Sequence, residues 1–141
     1  IDTDIYLKAH KLYLDKNENG EALRVLLDNY GLLGGTSEFQ TVLGNFYLEI
    51  EKDNFKALET LHKAFGCKGE GSVKRDEVYY YFQPSFLTAK IYLSMNEYNK
   101  ALEFFKQAYL YNNKPEIYEM VQKLELIVKK VSDVQLSNDG K

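Results

Sequence analysis

Apolar positions along this chain recur at helical spacing. Phe86, Ala89, Tyr92 and Leu93 stand at i, i+3, i+6 and i+7, and Ala101, Phe104, Phe105, Ala108 and Tyr109 at i, i+3, i+4, i+7 and i+8. Leu43, Phe46, Tyr47 and Ile50 form an earlier stripe, followed by Ala57, Leu58, Leu61, Ala64 and Phe65. Near the start, Tyr6, Ala9, Leu12 and Tyr13 precede Asn19-Gly20, and Ala22, Val25, Leu26 and Tyr30 follow. Polar residues punctuate the stripes: Asn96, Asp53 or Asn54, and Thr36 or Ser37 are candidate N-caps, whose side-chain oxygens can accept from first-turn N–H groups. Gly31, Gly34 and Gly35, then Gly66 and Gly69, are expected to end helices. A longer stripe, Ile117, Met120, Val121, Leu124, Ile127, Val128 and Val131, follows Pro115, which suits a first helical turn.

The stripes are copies of one unit. Asn54-Phe55-Lys56-Ala57-Leu58-Glu59 reads almost like Tyr98-Asn99-Lys100-Ala101-Leu102-Glu103. Ala22 to Ala57 is 35 residues and Ala57 to Ala101 is 44; Tyr13 to Tyr47 is 34 and Tyr47 to Tyr92 is 45. The period is therefore about 34 with an insertion of about 10 before the third copy, the mark of a stacked helical repeat. Leu43-Gly44 and Tyr47 followed by Ala57, Leu61 and Ala64, and Ala89 and Tyr92 followed by Ala101, Phe105 and Ala108, resemble the tetratricopeptide repeat (TPR) signature. The first copy matches at Tyr6, Ala9, His10, Tyr13, Ala22 and Leu26 and departs at Asn29, where a small residue is expected. The resemblance implies an all-α, TPR-like solenoid of about seven antiparallel helices. Residues 1–134 form one domain, with repeats at about 3–35, 36–71 and 82–114, an insertion at about 72–81 and a capping helix at 115–134. Residues 135–141 read as a polar tail.

Composition narrows the functional classes. At 45% hydrophobic residues the chain has enough apolar content for a core, and its net charge of -3 argues against a broad nucleic-acid footprint. It has no apolar run of about 18 residues for membrane insertion. A cytoplasmic location is the expectation, with the chain a piece of a longer or processed protein. The single Cys67 excludes a disulfide framework, and His10 and His62 stand on different copies, so neither metal, cofactor nor catalytic residues are expected. Of 18 basic residues only Arg24 and Arg75 are Arg, which leaves little for bidentate clamping of carboxylate or phosphate.

What remains is a non-catalytic interaction module. The resemblance implies a concave groove on the first helices of the repeats, binding a peptide or helix of a partner protein. Its lining would be Leu7, Lys11 and Leu14 from copy one, Thr41, Asn45, Leu48 and Glu49 from copy two, and Phe86, Lys90 and Leu93 from copy three. At the positions where one TPR subtype clamps chaperone carboxylate tails stand Leu7, Lys11, Val42, Gln83 and Leu87, so that ligand is not expected. An apolar floor with Lys11 and Lys90 at its sides suits a partly apolar segment with a few acidic residues. Tyr79, Tyr80 and Tyr81 in the insertion offer a second contact surface or an extra turn packed on the neighbouring repeat. Self-association into a homodimer, or a secretion-type TPR chaperone, are the alternatives.

Overall fold

In the computed structural model the chain is all-helical; the structure describes residues 3–65 and 76–139, with side chains for 4–65 and 82–136. Eight helices occupy the described residues: α1 Thr3–Asp15, α2 Asn19–Leu27, α3 Tyr30–Leu33, α4 Ser37–Glu49, α5 Asn54–Phe65, α6 Asp76–Ser94, α7 Tyr98–Tyr111 and α8 Pro115–Asp139. The sequence predicts about seven. The additional one is the single turn α3, where Asn29 ends the preceding segment by donating Nδ2 to the Val25 carbonyl at 2.7 Å. No helix among the described residues is long and apolar enough to cross a membrane.

The internal repetition extends to the backbone. Asn17, Lys52 and Asn96 adopt φ of 60°, 56° and 61°, the left-handed region, and each lies five residues before the recurring alanine. In all three turns the carbonyl of the recurring tyrosine accepts a hydrogen bond from the residue after the left-handed one: Glu18 N to Tyr13 O (2.8 Å), Asp53 N to Tyr47 O (2.9 Å) and Glu97 N to Tyr92 O (2.9 Å). The same residue's carbonyl then accepts from Ala22, Ala57 and Ala101 N at 2.9, 3.0 and 2.9 Å. These bonds use up carbonyls that a helix end leaves orphaned. Asn96 therefore makes the turn rather than capping α7: Glu97 is the N-cap and its side chain makes no capping bond, while Asn96 Oδ1 accepts from Tyr98 Oη at 3.1 Å. Asp53 does cap α5, accepting from Lys56 N at 3.0 Å, and Thr36 caps α4, accepting from Phe39 N at 3.3 Å.

The chain divides into two compact units, residues 1–80 and 81–141. In the first, α1 packs on α2 and α4 on α5. Its core joins Leu26, Leu33, Phe39 and Leu43, with Tyr6, Leu7, Tyr30 and Tyr47 against them. His10 is buried at 3% exposure, its Nδ1 2.7 Å from the Ala22 carbonyl and its ring edge-on to Phe46 at 5.8 Å. Gly44 lets α4 and α5 approach: a Cβ there would stand 2.8 Å from Leu61 Cγ.

In the second unit Ala89, Ala101, Phe105, Val121 and Leu124 form the core, contributed by α6, α7 and α8. α6 begins inside the predicted insertion and carries Pro84 in its interior, buried. Residues 72–75 of that insertion, with Gly66, Cys67 and Gly69, lie outside the described residues. α8 runs to Asp139, five residues past its predicted end, because no glycine or proline interrupts 116–139.

Candidate functional site

Within the second unit a cleft of about 680 Å³ opens between α6 and α8, floored by α7. α6 supplies Phe82, Phe86 and Leu93, which its helical period brings to one side. Phe82 and Phe86 stack with centroids 5.5 Å apart, and Phe86 meets the edge of Phe105 at 6.0 Å. Phe105, 2% exposed, is locked into the core and fixes the floor. The opposite wall is the first turn and a half of α8, with Glu116, Ile117 and Met120, preceded by Lys114. Pro115 sets the start of that helix, since its ring fixes φ and its missing N–H would have been an orphan there.

The polar groups of the cleft are Gln83, Lys90, Lys114 and Glu116. Lys90 is exposed, and its Nζ lies 5.5 Å from the Phe86 ring centroid, so its charge is held at the rim by the aromatic face. The arrangement can desolvate bulky apolar side chains on aromatic walls while cations bracket the opening. Its volume falls within the roughly 300–1,000 Å³ typical of ligand pockets.

Of the sequence-predicted lining, Phe86, Lys90 and Leu93 meet in this cleft. In the first unit Leu7, Lys11 and Leu14 lie on α1 and Thr41, Asn45, Leu48 and Glu49 on α4. Lys11, Asn45 and Glu49 are exposed; Leu7, Leu14, Thr41 and Leu48 are half-buried, with Leu7 packed against the core. None of the seven lines a cavity of about 180 Å³ in that unit framed by residues such as Tyr30, Tyr47, Lys56 and Lys63. The side chains of Tyr79, Tyr80 and Tyr81 lie outside those described. Sequence reasoning missed Phe82, Ile117 and Met120 as lining. Phe82 was legible as the residue four before Phe86; the other two sit on the helix that the sequence presents as a cover.

No protein-family model matches the chain, and no curated protein matches it in sequence.

Two titratable side chains of the first unit are shifted by burial. Burial pushes the His10 imidazole below its ordinary range, outweighing the hydrogen bond to Ala22. Burial and then the neighbouring Glu51 carboxylate push the Tyr47 phenol up. Lys56 lies 5.5 Å over the Tyr47 ring and Lys100 5.4 Å over Tyr92, a contact repeated in copies two and three. No group of three or more His, Cys, Asp or Glu among the described residues could hold a metal ion.

Proposed function

We propose that this chain is a TPR-like protein-interaction module that captures an apolar segment of a partner protein, with the cleft of the second unit as its principal contact. The supporting observation is the aromatic cleft formed by Phe82, Phe86 and Phe105 against α8, which gathers the groove residues Phe86, Lys90 and Leu93 of the third copy. Aromatic side chains in a desolvated pocket with a polar rim are where interface energy concentrates. The TPR-like assignment is supported by three copies of one turn, with the left-handed residue, the tyrosine carbonyl and the alanine in the same relation. Gln83 and Leu87, at two of the carboxylate-clamp positions, both line the cleft and carry no charge, which disfavours a chaperone tail as ligand.

The test is pull-down with the chain as bait and identification of what it retains by mass spectrometry. Phe86→Glu, in the cleft, is expected to abolish capture with the circular dichroism spectrum unchanged, and Leu48→Glu, on α4 outside the cleft, to weaken it less. Lys90→Glu, at an exposed position, is expected to weaken it without disturbing the core. Capture indifferent to all three substitutions removes the groove from the account.

A further inference from the structure

The aromatic wall of the cleft presents one part of its rings and hides another. Phe82, Phe86 and Lys90 follow one another on α6 at steps of four residues, so each stands about one turn beyond the last. Phe82 stacks on Phe86 with the two planes 17° apart, and Lys90 Nζ lies 5.5 Å over the same Phe86 ring. One of these neighbours precedes Phe86 along the helix and the other follows it, so they approach from opposite sides. Both faces of Phe86 are therefore taken. Phe86 is half-buried and lines the cleft, and what it offers an occupant is the edge of its ring.

The edge of a phenyl ring is electropositive and its face electronegative. A wall that presents a ring edge therefore discriminates among apolar groups of similar size. An aliphatic side chain gains burial against it, whereas the face of an aromatic ring gains burial and the edge-to-face attraction together. The opposite wall favours the same occupant, because Met120 of α8 lines the cleft and a thioether sulfur makes favourable contacts with aromatic rings. Net charge is not selected here: Lys90 and Lys114 share the lining with Glu116. An ionised group placed deeper, among Leu93 and Ile117, would lose its hydration.

We infer that the cleft takes an uncharged aromatic side chain of the partner segment, with the face of its ring set against the edge of Phe86. This rests on the interaction reading above and extends it by naming the anchor that the partner supplies. Lys90 then has a role beyond its charge: lying over Phe86, it leaves the ring edge as the surface on offer.

The experiment titrates the intact chain, carrying carbon-13 methyl labels on methionine, with three blocked pentapeptides. They differ only at a central residue, which is phenylalanine, cyclohexylalanine or pentafluorophenylalanine, the last with the polarity of its face reversed. The chain has two methionines; Met120 lines the cleft, while Met95 follows the end of α6. The phenylalanine peptide is expected to shift the Met120 methyl signal upfield and to leave Met95 in place. It is expected to bind about two- to tenfold more tightly than the cyclohexylalanine peptide, and the pentafluoro peptide is expected to lose that advantage. Phe86→Leu, which keeps an apolar group but removes the ring edge, is expected to bring phenylalanine and cyclohexylalanine to equal affinity. Lys90→Ala, at an exposed position that does not disturb the core, uncovers one face of Phe86 and is expected to restore binding of the pentafluoro peptide. That second variant decides the matter should Phe86→Leu lose helicity. Equal binding of the phenylalanine and cyclohexylalanine peptides to the natural chain overturns the inference and leaves the cleft as a simple apolar contact. A preference that survives Phe86→Leu, a pentafluoro peptide unaffected by Lys90→Ala, or a shift at Met95 alone also overturns it. Failure of all three peptides overturns it too, while Phe86-dependent capture in the pull-down would still uphold the proposed function.

Discussion

His10 occupies the small-residue position of the first copy, the one held by Gly44 in the second and Ala89 in the third. An imidazole fits there because its Nδ1 reaches the Ala22 carbonyl and its ring meets Phe46 edge-on. The neutral form is the one that packs, since charging a buried ring forfeits its hydration. With the folded-state pKa depressed by burial, the unfolded chain binds the proton more tightly. The stability from neutral His10 is therefore fully present above the ordinary value of 6.5 and is lost as pH falls from there through the folded-state pKa. Urea midpoints measured from pH 7.5 down to 5 are expected to decline for the natural chain. His10→Gln, which keeps a donor for Ala22 but does not titrate in this range, is expected to be less stable at pH 7.5 and to show a shallower decline. Equal slopes in the two proteins would assign the pH dependence to other groups.

At the scale of the element, the α4–α5 pair turns on one glycine. A Cβ at Gly44 would lie 2.8 Å from Leu61 Cγ and 2.9 Å from Cδ2, and Leu61 is fully buried. Gly44→Ala gains about 1 kcal/mol of helix propensity but incurs about 1–3 kcal/mol of overpacking. The expected result is a net loss of about 1 kcal/mol in chemical denaturation. Leu61→Ala opens space at the same contact, so the double substitution is expected to cost less than the two single losses together. Much of this pairing was legible in the sequence, because Gly44, Ala57, Leu61 and Ala64 repeat at fixed spacing and all four are buried. The turns were less so. Asparagine suggests a helix cap by type, yet Asn17 and Asn96 sit in the left-handed region, which Asn tolerates well. Lys52 holds the same conformation with no compositional sign, and only alignment with the other two copies would have revealed it. Likewise Lys56 and Lys100 look like an ordinary solvated face, though their charges lie over Tyr47 and Tyr92.

At the scale of the molecule, α8 is divided between a half that packs and a half that does not. α8 starts as α4 does: Tyr30 and Phe39 meet edge-on at 5.4 Å, and nine residues likewise separate Tyr109 from Tyr118, whose rings lie 5.6 Å apart. Beyond that point the two helices diverge. Leu43, Gly44 and Phe46 of α4 are buried, whereas the residues at the same distances in α8, Gln122, Lys123 and Glu125, are exposed. That face of α8 carries polar side chains to the solvent. Its apolar content sits on the other sides, divided between Ile117, Val121 and Leu124 in the core and Ile127, Val131 and Val134 outside it. The sequence presents these residues as one continuous stripe, because periodicity records which side of a helix is apolar and not how far along it a neighbour extends. Stability measurements separate the two portions. Leu124→Ala is expected to cost about 2–5 kcal/mol, as a buried leucine does when truncated. Val134→Ala, with no core contact to lose, is expected to stay within about 0.5 kcal/mol of the natural chain. Urea denaturation of the two variants decides it: comparable losses would mean that the outer half of α8 is part of the fold, and a large loss at Leu124 alone leaves that half available to a partner.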